Sequence, residues 1–254
     1  KQNAMGYFDQ ELTKNKRDLK EIFDFGAVSS TNLEAGIDQV NSGDGVNQWP
    51  EALPEFKRTM CAYFSACETL GHRLLGMLSE GMGLPHQTFH PYFGDRHTGF
   101  MRLNYYPLED PLAAGEATDA TPLGDMALHH HTDAGVLTVL LQDTAGGLEA
   151  HVDGNWVDVT PIEGALIINV GDMMQVWSND RYPALLHRVR PVDGRSRYSI
   201  PFFLNPAYET DCTPLGSEPA RYRSINWGDF RRARSEGDYA DFGKEIQIDD
   251  YRIS

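Results

Sequence analysis

The residues best equipped for chemistry lie in Leu128-His-His-His-Thr-Asp-Ala-Gly135. On a strand, residues i and i+2 point to the same face, so His131 and Asp133 would present an imidazole and a carboxylate side by side. A third donor must come from elsewhere in the fold, and His187 in Leu185-Leu-His-Arg-Val189 is the best candidate. Two histidines and one carboxylate cover one face of an octahedral metal and leave three positions open. That set suits Fe(II), because the open positions can take a bidentate cosubstrate and then O2. A structural zinc site would instead be closed by four protein ligands. Of the neighbouring His129 and His130, one is expected to be an ordinary strand residue and the other a group supporting the site or pocket.

A second candidate is Arg197-Tyr-Ser199. Alternation puts Arg197 and Ser199 on one face. A guanidinium can grip a carboxylate through two parallel hydrogen bonds, and a neighbouring hydroxyl can add a third. A third candidate is Arg102-Leu-Asn-Tyr-Tyr-Pro107, where Asn104 and Tyr106 share a face and offer an amide and a phenol to one cavity. Tyr105, on the opposite face, is expected in the core.

Three regions of different texture must position these groups. From about Met5 to Pro50 the chain is polar and rich in Gly, Asn and Asp, with a short apolar segment at Ile22–Phe25. It reads as a wrapping around a core made elsewhere. From Glu51 to Leu84, apolar residues from Phe56 to Leu78 recur at three- and four-residue steps, which predicts a helix with one apolar face. Gly81, Gly83 and Pro85 supply its stop. From Phe100 to Pro206, short apolar or alternating runs separated by Gly, Pro, Asn and Asp read as strands: Val136–Leu141, Ala165–Val170, Met173–Trp177 and Tyr198–Leu204. Asp153-Gly154 suits the tight turn of a hairpin spanning His151–Val157. Trp227–Arg234 reads as a short helix. Strands clustered without alternating helices argue for a β-sandwich or barrel in a mainly β fold with flanking helices.

The length of 254 residues fits one domain: a flanking part over 1–99, a strand-rich core over 100–206 and a tail over 207–254. The net charge of −15 opposes partners rich in phosphate, so neither nucleic acid nor an anionic membrane surface is expected. No segment has the length and apolarity of a membrane span, and no leader peptide is visible. Cys61, Cys67 and Cys212 lack zinc-ligand spacing and read as small buried hydrophobes of a reducing compartment, with a cytoplasmic monomer as the expectation.

Taken together, Asn104-Tyr-Tyr-Pro107, His131-Thr-Asp133, Asn169-Val-Gly-Asp-Met-Met-Gln-Val-Trp-Ser-Asn179 followed by His187, and Arg197-Tyr-Ser-Ile-Pro-Phe-Phe203 match a known pattern in order and spacing. The chain resembles the isopenicillin N synthase-like group of iron(II)/2-oxoglutarate-dependent dioxygenases. The likeness is close from Phe100 to Pro206 and looser at Gly6–Lys14 and Ser224–Arg231. It implies a double-stranded β-helix (jelly-roll) core with Fe(II) held by His131, Asp133 and His187. It further implies that Arg197 and Ser199 hold the distal carboxylate of 2-oxoglutarate, that Asn104 and Tyr106 lie near its iron-bound end, and that Phe203 lines the substrate pocket.

The implied activity is oxidation of an unactivated C–H of a small molecule by O2, with release of succinate and CO2; hydroxylation, desaturation and ring closure all fit. A specialised metabolite or amino-acid derivative is the implied substrate. Two alternatives stand beside this: an iron oxidase of the same family that needs no 2-oxoglutarate, and a jelly roll that binds a ligand without catalysis. Family members carry further residues ahead of the Gly6 segment, so part of the substrate lid is expected to lie outside this chain. The loop Leu108–Leu123 is a candidate to fold over the entrance.

Overall fold

The computed structural model describes residues 3–13, 16–43, 45–110, 124–236 and 246–253. The candidate entrance loop lies outside them from residue 111 to residue 123. The chain opens with β1 (Gly6–Phe8), a minimal ribbon of β2 (Leu12–Thr13) and β3 (Lys16–Arg17), and β4 (Glu21–Gly26). Helix α1 (Ser30–Glu34) and the long helix α2 (Pro54–Gly81) follow. Next come β5 (Phe100–Tyr106), β6 (Leu128–His131), β7 (Leu137–Gln142), β8 (Leu148–Val152), β9 (Asn155–Asp158) and β10 (Ile167–Val170). Helix α3 (Asp172–Trp177), β11 (His187–Val189), β12 (Arg197–Leu204), β13 (Asp211–Cys212), β14 (Ile225–Asn226) and α4 (Trp227–Arg234) complete the order.

Two antiparallel sheets form the body, one ordered β1-β4-β5-β12-β7-β10 and the other β6-β11-β8-β9. This is the double-stranded β-helix. Period-two alternation gives the larger sheet two unlike faces. Along β12, Arg197, Ser199, Pro201 and Phe203 line an inner cavity, while Phe202 and Leu204 are fully buried on the other side. Along β5, Phe100, Arg102, Asn104 and Tyr106 line the cavity and Met101 is buried opposite.

Helix α2 covers the outer face. Pro54 at its first turn has φ already suited to a helix, and Gly83, at φ +76, supplies the left-handed stop. Its Phe56 packs on Phe23 at 5.4 Å and its Phe64 meets Phe202 edge-on at 4.9 Å. Gly71 lets the backbone close on β12, since a Cβ there would lie 2.9 Å from Leu204. The main hydrophobic cluster therefore includes the space between helix and sheet, and the space between the sheets stays open.

Several expectations are corrected. Ile22–Phe25 does not merely wrap the core, because β4 pairs with β5 from Glu21 to Gly26 inside the large sheet. Met173–Trp177 belongs to helix α3 rather than a strand. All six residues of α3 are buried, and a run buried on every side carries no period to tell helix from strand. Tyr105 is not core: it sits half-buried on the outer surface, 5.0 Å from the exposed Tyr198 ring. Cys61 is exposed, whereas Cys67 and Cys212 are buried. The hairpin β8–β9 turns at Asp153-Gly154, both at positive φ, as the dipeptide predicts. No helix among the described residues is long and apolar enough to cross a membrane.

The two faces of β12 predict different costs of truncation. Phe202→Ala should lower stability by about 3–5 kcal/mol, because a fully packed ring leaves a cavity. Tyr198→Ala, at a position 55% exposed, should cost less than about 1 kcal/mol. Denaturant unfolding midpoints of the two variants check this, and equal losses would contradict the assignment of the core to the helix side.

Candidate active site

Strand β6 ends at His131, so Asp133 is not carried beside it by strand alternation. It is held instead by α3. The amides at the start of that helix donate backward, Asp172 N–H to the Asp133 carbonyl at 2.8 Å and Met173 N–H to the Gly135 carbonyl at 2.9 Å. Gly171 allows this approach: a Cβ there would lie 2.4 Å from the Gly135 oxygen. Strand pairing does the rest, because β11 sets His187 directly opposite His131, with ring centroids 4.4 Å apart.

The ligand atoms of His131, Asp133 and His187 lie within 4.8 Å of one another. His131 Nδ1 donates to the His129 carbonyl at 2.8 Å and His187 Nδ1 to the Leu185 carbonyl at 3.0 Å. A carbonyl can only accept, so each Nδ1 carries a proton, and Nε2 is the ring nitrogen left to face a metal. Those Nε2 atoms face Asp133 Oδ1, at 3.7 Å from His131 and 3.6 Å from His187. The other carboxylate oxygen, Oδ2, is taken up by the Thr138 hydroxyl at 2.6 Å and the Asn169 amide at 2.7 Å.

Burial, and then the neighbouring His187 imidazole, push His131 down from the ordinary histidine range to about 3, so its ring is neutral at neutral pH. Burial alone would raise Asp133. His187 and His131, then the hydrogen bonds from Thr138 and Asn169, outweigh it and hold the carboxyl below its usual value. Two imidazoles and one carboxylate, each with a single unencumbered donor atom aimed at a common point, fit a divalent metal.

The remaining residues singled out in the sequence border the same cavity, of about 720 Å3. Arg197 is 2% exposed and makes three hydrogen bonds to neutral acceptors: Nε to the Gly146 carbonyl at 2.9 Å, Nη1 to Ser199 Oγ at 3.2 Å and Nη2 to Gln142 Oε1 at 3.1 Å. Its guanidinium carbon stacks 4.9 Å from the Tyr106 ring centroid. No carboxylate pairs with it among the described residues. Ser199 Oγ also accepts from Asn104 Nδ2 at 3.3 Å, and Asn104 Oδ1 is buried without a hydrogen-bond partner among them.

The register sets Tyr106 opposite Arg197 and Asn104 opposite Ser199. Both therefore stand across the β5–β12 ladder from the Arg197–Ser199 pair. Phe203 lines the cavity and stacks on Phe100 at 4.6 Å. His129 is buried with its ring on Asp18, whereas His130 lies 6.3 Å from Trp156.

Thr138, Gln142, Gly146 and Asn169 gain roles that the sequence reading does not give them. Thr138 leaves one signal there, a lone hydroxyl in the apolar run Leu137-Thr-Val-Leu-Leu141. Replacing it by Val keeps the shape and frees Asp133 to turn. Thr138→Val should weaken Fe(II) or Co(II) binding by on the order of tenfold, the usual effect of losing a partner that orients a ligand. Anaerobic metal titration checks this, and an unchanged affinity would mean that Thr138 does not orient the carboxylate.

A model of the 2OG-Fe(II) oxygenase superfamily matches residues 97–206. The chain is 34% identical over 212 residues to the 2-oxoglutarate-Fe(II) type oxidoreductase hxnY of Emericella nidulans, covering 79% of this chain and 58% of that one. It is 30% identical over 260 residues to a probable iron/ascorbate oxidoreductase of Dictyostelium discoideum, covering 93% and 70%. Among solved structures, a full-length Neurospora crassa protein in complex with alpha-KG superposes with a TM-score of 0.70 at 28% identity, over 86% of this chain and 66% of that one. The rice dioxygenase for auxin oxidation gives 0.71 at 26%, over 98% and 76%. The chain spans about half the length of several of the curated relatives it matches. The match to the Dictyostelium protein runs through most of both chains, and with the family model over the strand-rich core it leads to one conclusion: this chain belongs to the 2OG-Fe(II) oxygenase superfamily.

Proposed function

We propose that this chain is the working core of an Fe(II)- and 2-oxoglutarate-dependent oxygenase that oxidises an unactivated C–H bond of a small molecule, releasing succinate and CO2. The observation that carries the reading is a buried guanidinium with no carboxylate partner among the described residues, in the same cavity as a two-histidine, one-carboxylate donor set. A charge taken out of water without a counter-ion is costly, and a bound dianionic cosubstrate supplies one.

In this reading His131 Nε2, His187 Nε2 and Asp133 Oδ1 hold the ferrous ion. When bound, the iron supplies the O2 activation and radical chemistry that amino-acid side chains lack. The protein's share is binding and orientation. Ser199 Oγ already accepts from Arg197 and Asn104, so its own proton is free to be donated to a carboxylate. Gly146 and Gln142 fix the plane of the guanidinium, and the Tyr106 ring backs it. The distal carboxylate of the cosubstrate therefore meets a fixed pair of buried donors, and burial strengthens each hydrogen bond. Phe203 and Phe100 form an apolar wall for the substrate.

The relatives support a small-molecule substrate: the Neurospora protein has been solved in complex with thymine, and the rice protein is named for auxin oxidation. The net charge of −15 favours the same class over nucleic acid or an anionic membrane. The reading includes a monomer in the cytoplasm, in keeping with the sparse free cysteines.

The test is succinate release from 2-oxoglutarate by the anaerobically purified chain after addition of Fe(II) and O2. Release should depend on iron and vanish in Asp133→Ala. Arg197→Ala should raise the 2-oxoglutarate KM by on the order of 100-fold, the loss of charge-assisted hydrogen bonds to a buried anion. Turnover that survives in Asp133→Ala, or that consumes no 2-oxoglutarate, would refute the assignment.

A further inference from the structure

A line of buried charges runs along the cavity wall from strands β4 and β5, past the ribbon β2–β3, to strand β6. Arg102 binds Asp24 through Nε and Nη2, each at 2.8 Å, and its Nη1 reaches Glu11 at 2.8 Å. Glu11 also takes Lys20 Nζ at 2.5 Å, and the same ammonium lies 3.2 Å from Asp18 Oδ2. Asp18 is fully buried and ends the line on a histidine: its Oδ1 accepts from His129 Nδ1 at 2.8 Å and from the His129 backbone N–H at 3.2 Å. The His129 carbonyl is the acceptor that fixes the tautomer of His131.

Beyond the exposed Asp125 carboxylate, 3.3 Å from its Nε2, two further features limit how far His129 can move. One carboxylate oxygen holds both its ring and its main chain. On the other side Gly124, tied to the Arg17 carbonyl by its own N–H at 2.9 Å, closes on the ring so tightly that a Cβ would lie 2.2 Å from His129 Cε1. The imidazole is clamped between a carboxylate and a backbone, and the carbonyl of the same residue is fixed with it.

We propose that Asp18 is a positioning residue for the metal centre, acting through His129 on the orientation of His131. The inference rests on the reading of His131, Asp133 and His187 as the metal ligands. The carboxylate stands 111 positions before its partner in sequence and touches no ligand directly. Its effect runs through two hydrogen bonds, Asp18 to His129 and the His129 carbonyl to His131 Nδ1. An acceptor that sets the direction of a metal-bound imidazole changes metal affinity by about 10–100-fold when removed.

The experiment is anaerobic Co(II) titration of the full chain, reading both the dissociation constant and the visible spectrum of the bound ion. Asp18→Ala should weaken binding at least about tenfold and change the spectrum. Asp18→Asn keeps an acceptor oxygen toward both His129 donors and should stay within about threefold of the parent, with an unchanged spectrum. Asp24→Ala removes a carboxylate from the same line of charges without touching His129, so it should leave both readouts alone. If Asp18→Ala does not fold, Gly124→Ala displaces the same ring from the other side, and it too should weaken binding.

Parent-like affinity in whichever of Asp18→Ala and Gly124→Ala is folded would overturn the proposal. Asp24→Ala falling as far as Asp18→Ala would do the same, since the effect would then be general. A parent chain that binds no Co(II) at all would sink the metal reading, and this inference with it. A parent that binds beside an indifferent Asp18→Ala sinks this inference alone.

Discussion

A protein that keeps an open cavity between two sheets must find its cohesion elsewhere. Here it comes from helix α2 laid on the outer face of the large sheet. Burial of rings such as Phe25, Phe64 and Phe202 supplies the apolar contact that the inter-sheet space cannot. A jelly roll whose inner faces interdigitated would be stable and inert. Moving much of the core to the far side of β5, β7 and β12 leaves the near side for groups that a packed interior would reject. Gly71 is part of that arrangement, because it brings the helix close enough for the contact to be dense.

Inside the cavity, polar groups are tolerated because nearly every one has a designated partner. Asp133 divides its two oxygens between hydrogen bonds and the histidines. Arg102 and Lys20 are matched by Glu11, Asp24 and Asp18. Two loose ends stand out among the described residues: the guanidinium of Arg197, which meets only neutral acceptors, and the bare carbonyl oxygen of the Asn104 side chain. They are neighbours across β5 and β12. Incomplete satisfaction of two neighbouring buried groups that face one cavity is the mark of a place suited to a ligand.

The meeting of His131, Asp133 and His187 is foreshadowed in the sequence because His-x-Asp and the later His are patterns of residue type, and Arg197-x-Ser199 obeys simple alternation. The reason that Asp133 meets His131 is not legible there. It depends on backward hydrogen bonds from α3, a helix whose six residues are all buried and therefore show no period. The pairing of Tyr106 with Arg197 and of Asn104 with Ser199 escapes the sequence for a related reason: strand register between β5 and β12 joins residues more than ninety positions apart. Supporting groups such as Asp18 and Asn169 are invisible as partners because a single acid or amide in a polar stretch carries no distinguishing pattern. Helices α2 and α4, whose boundaries rest on Pro, Gly and spacing, fall within a few residues of the ranges the sequence predicts.

Strand β12 carries anchor, hydroxyl and aromatic wall at alternate positions, which gives it a parity. A single residue inserted or deleted between Ser199 and Phe203 would put the two ends of the strand out of phase, so that Arg197 and the Phe203 ring could no longer face the cavity together. Changes of length along this segment are thus compatible with the cavity only in even steps or in the loops at its ends.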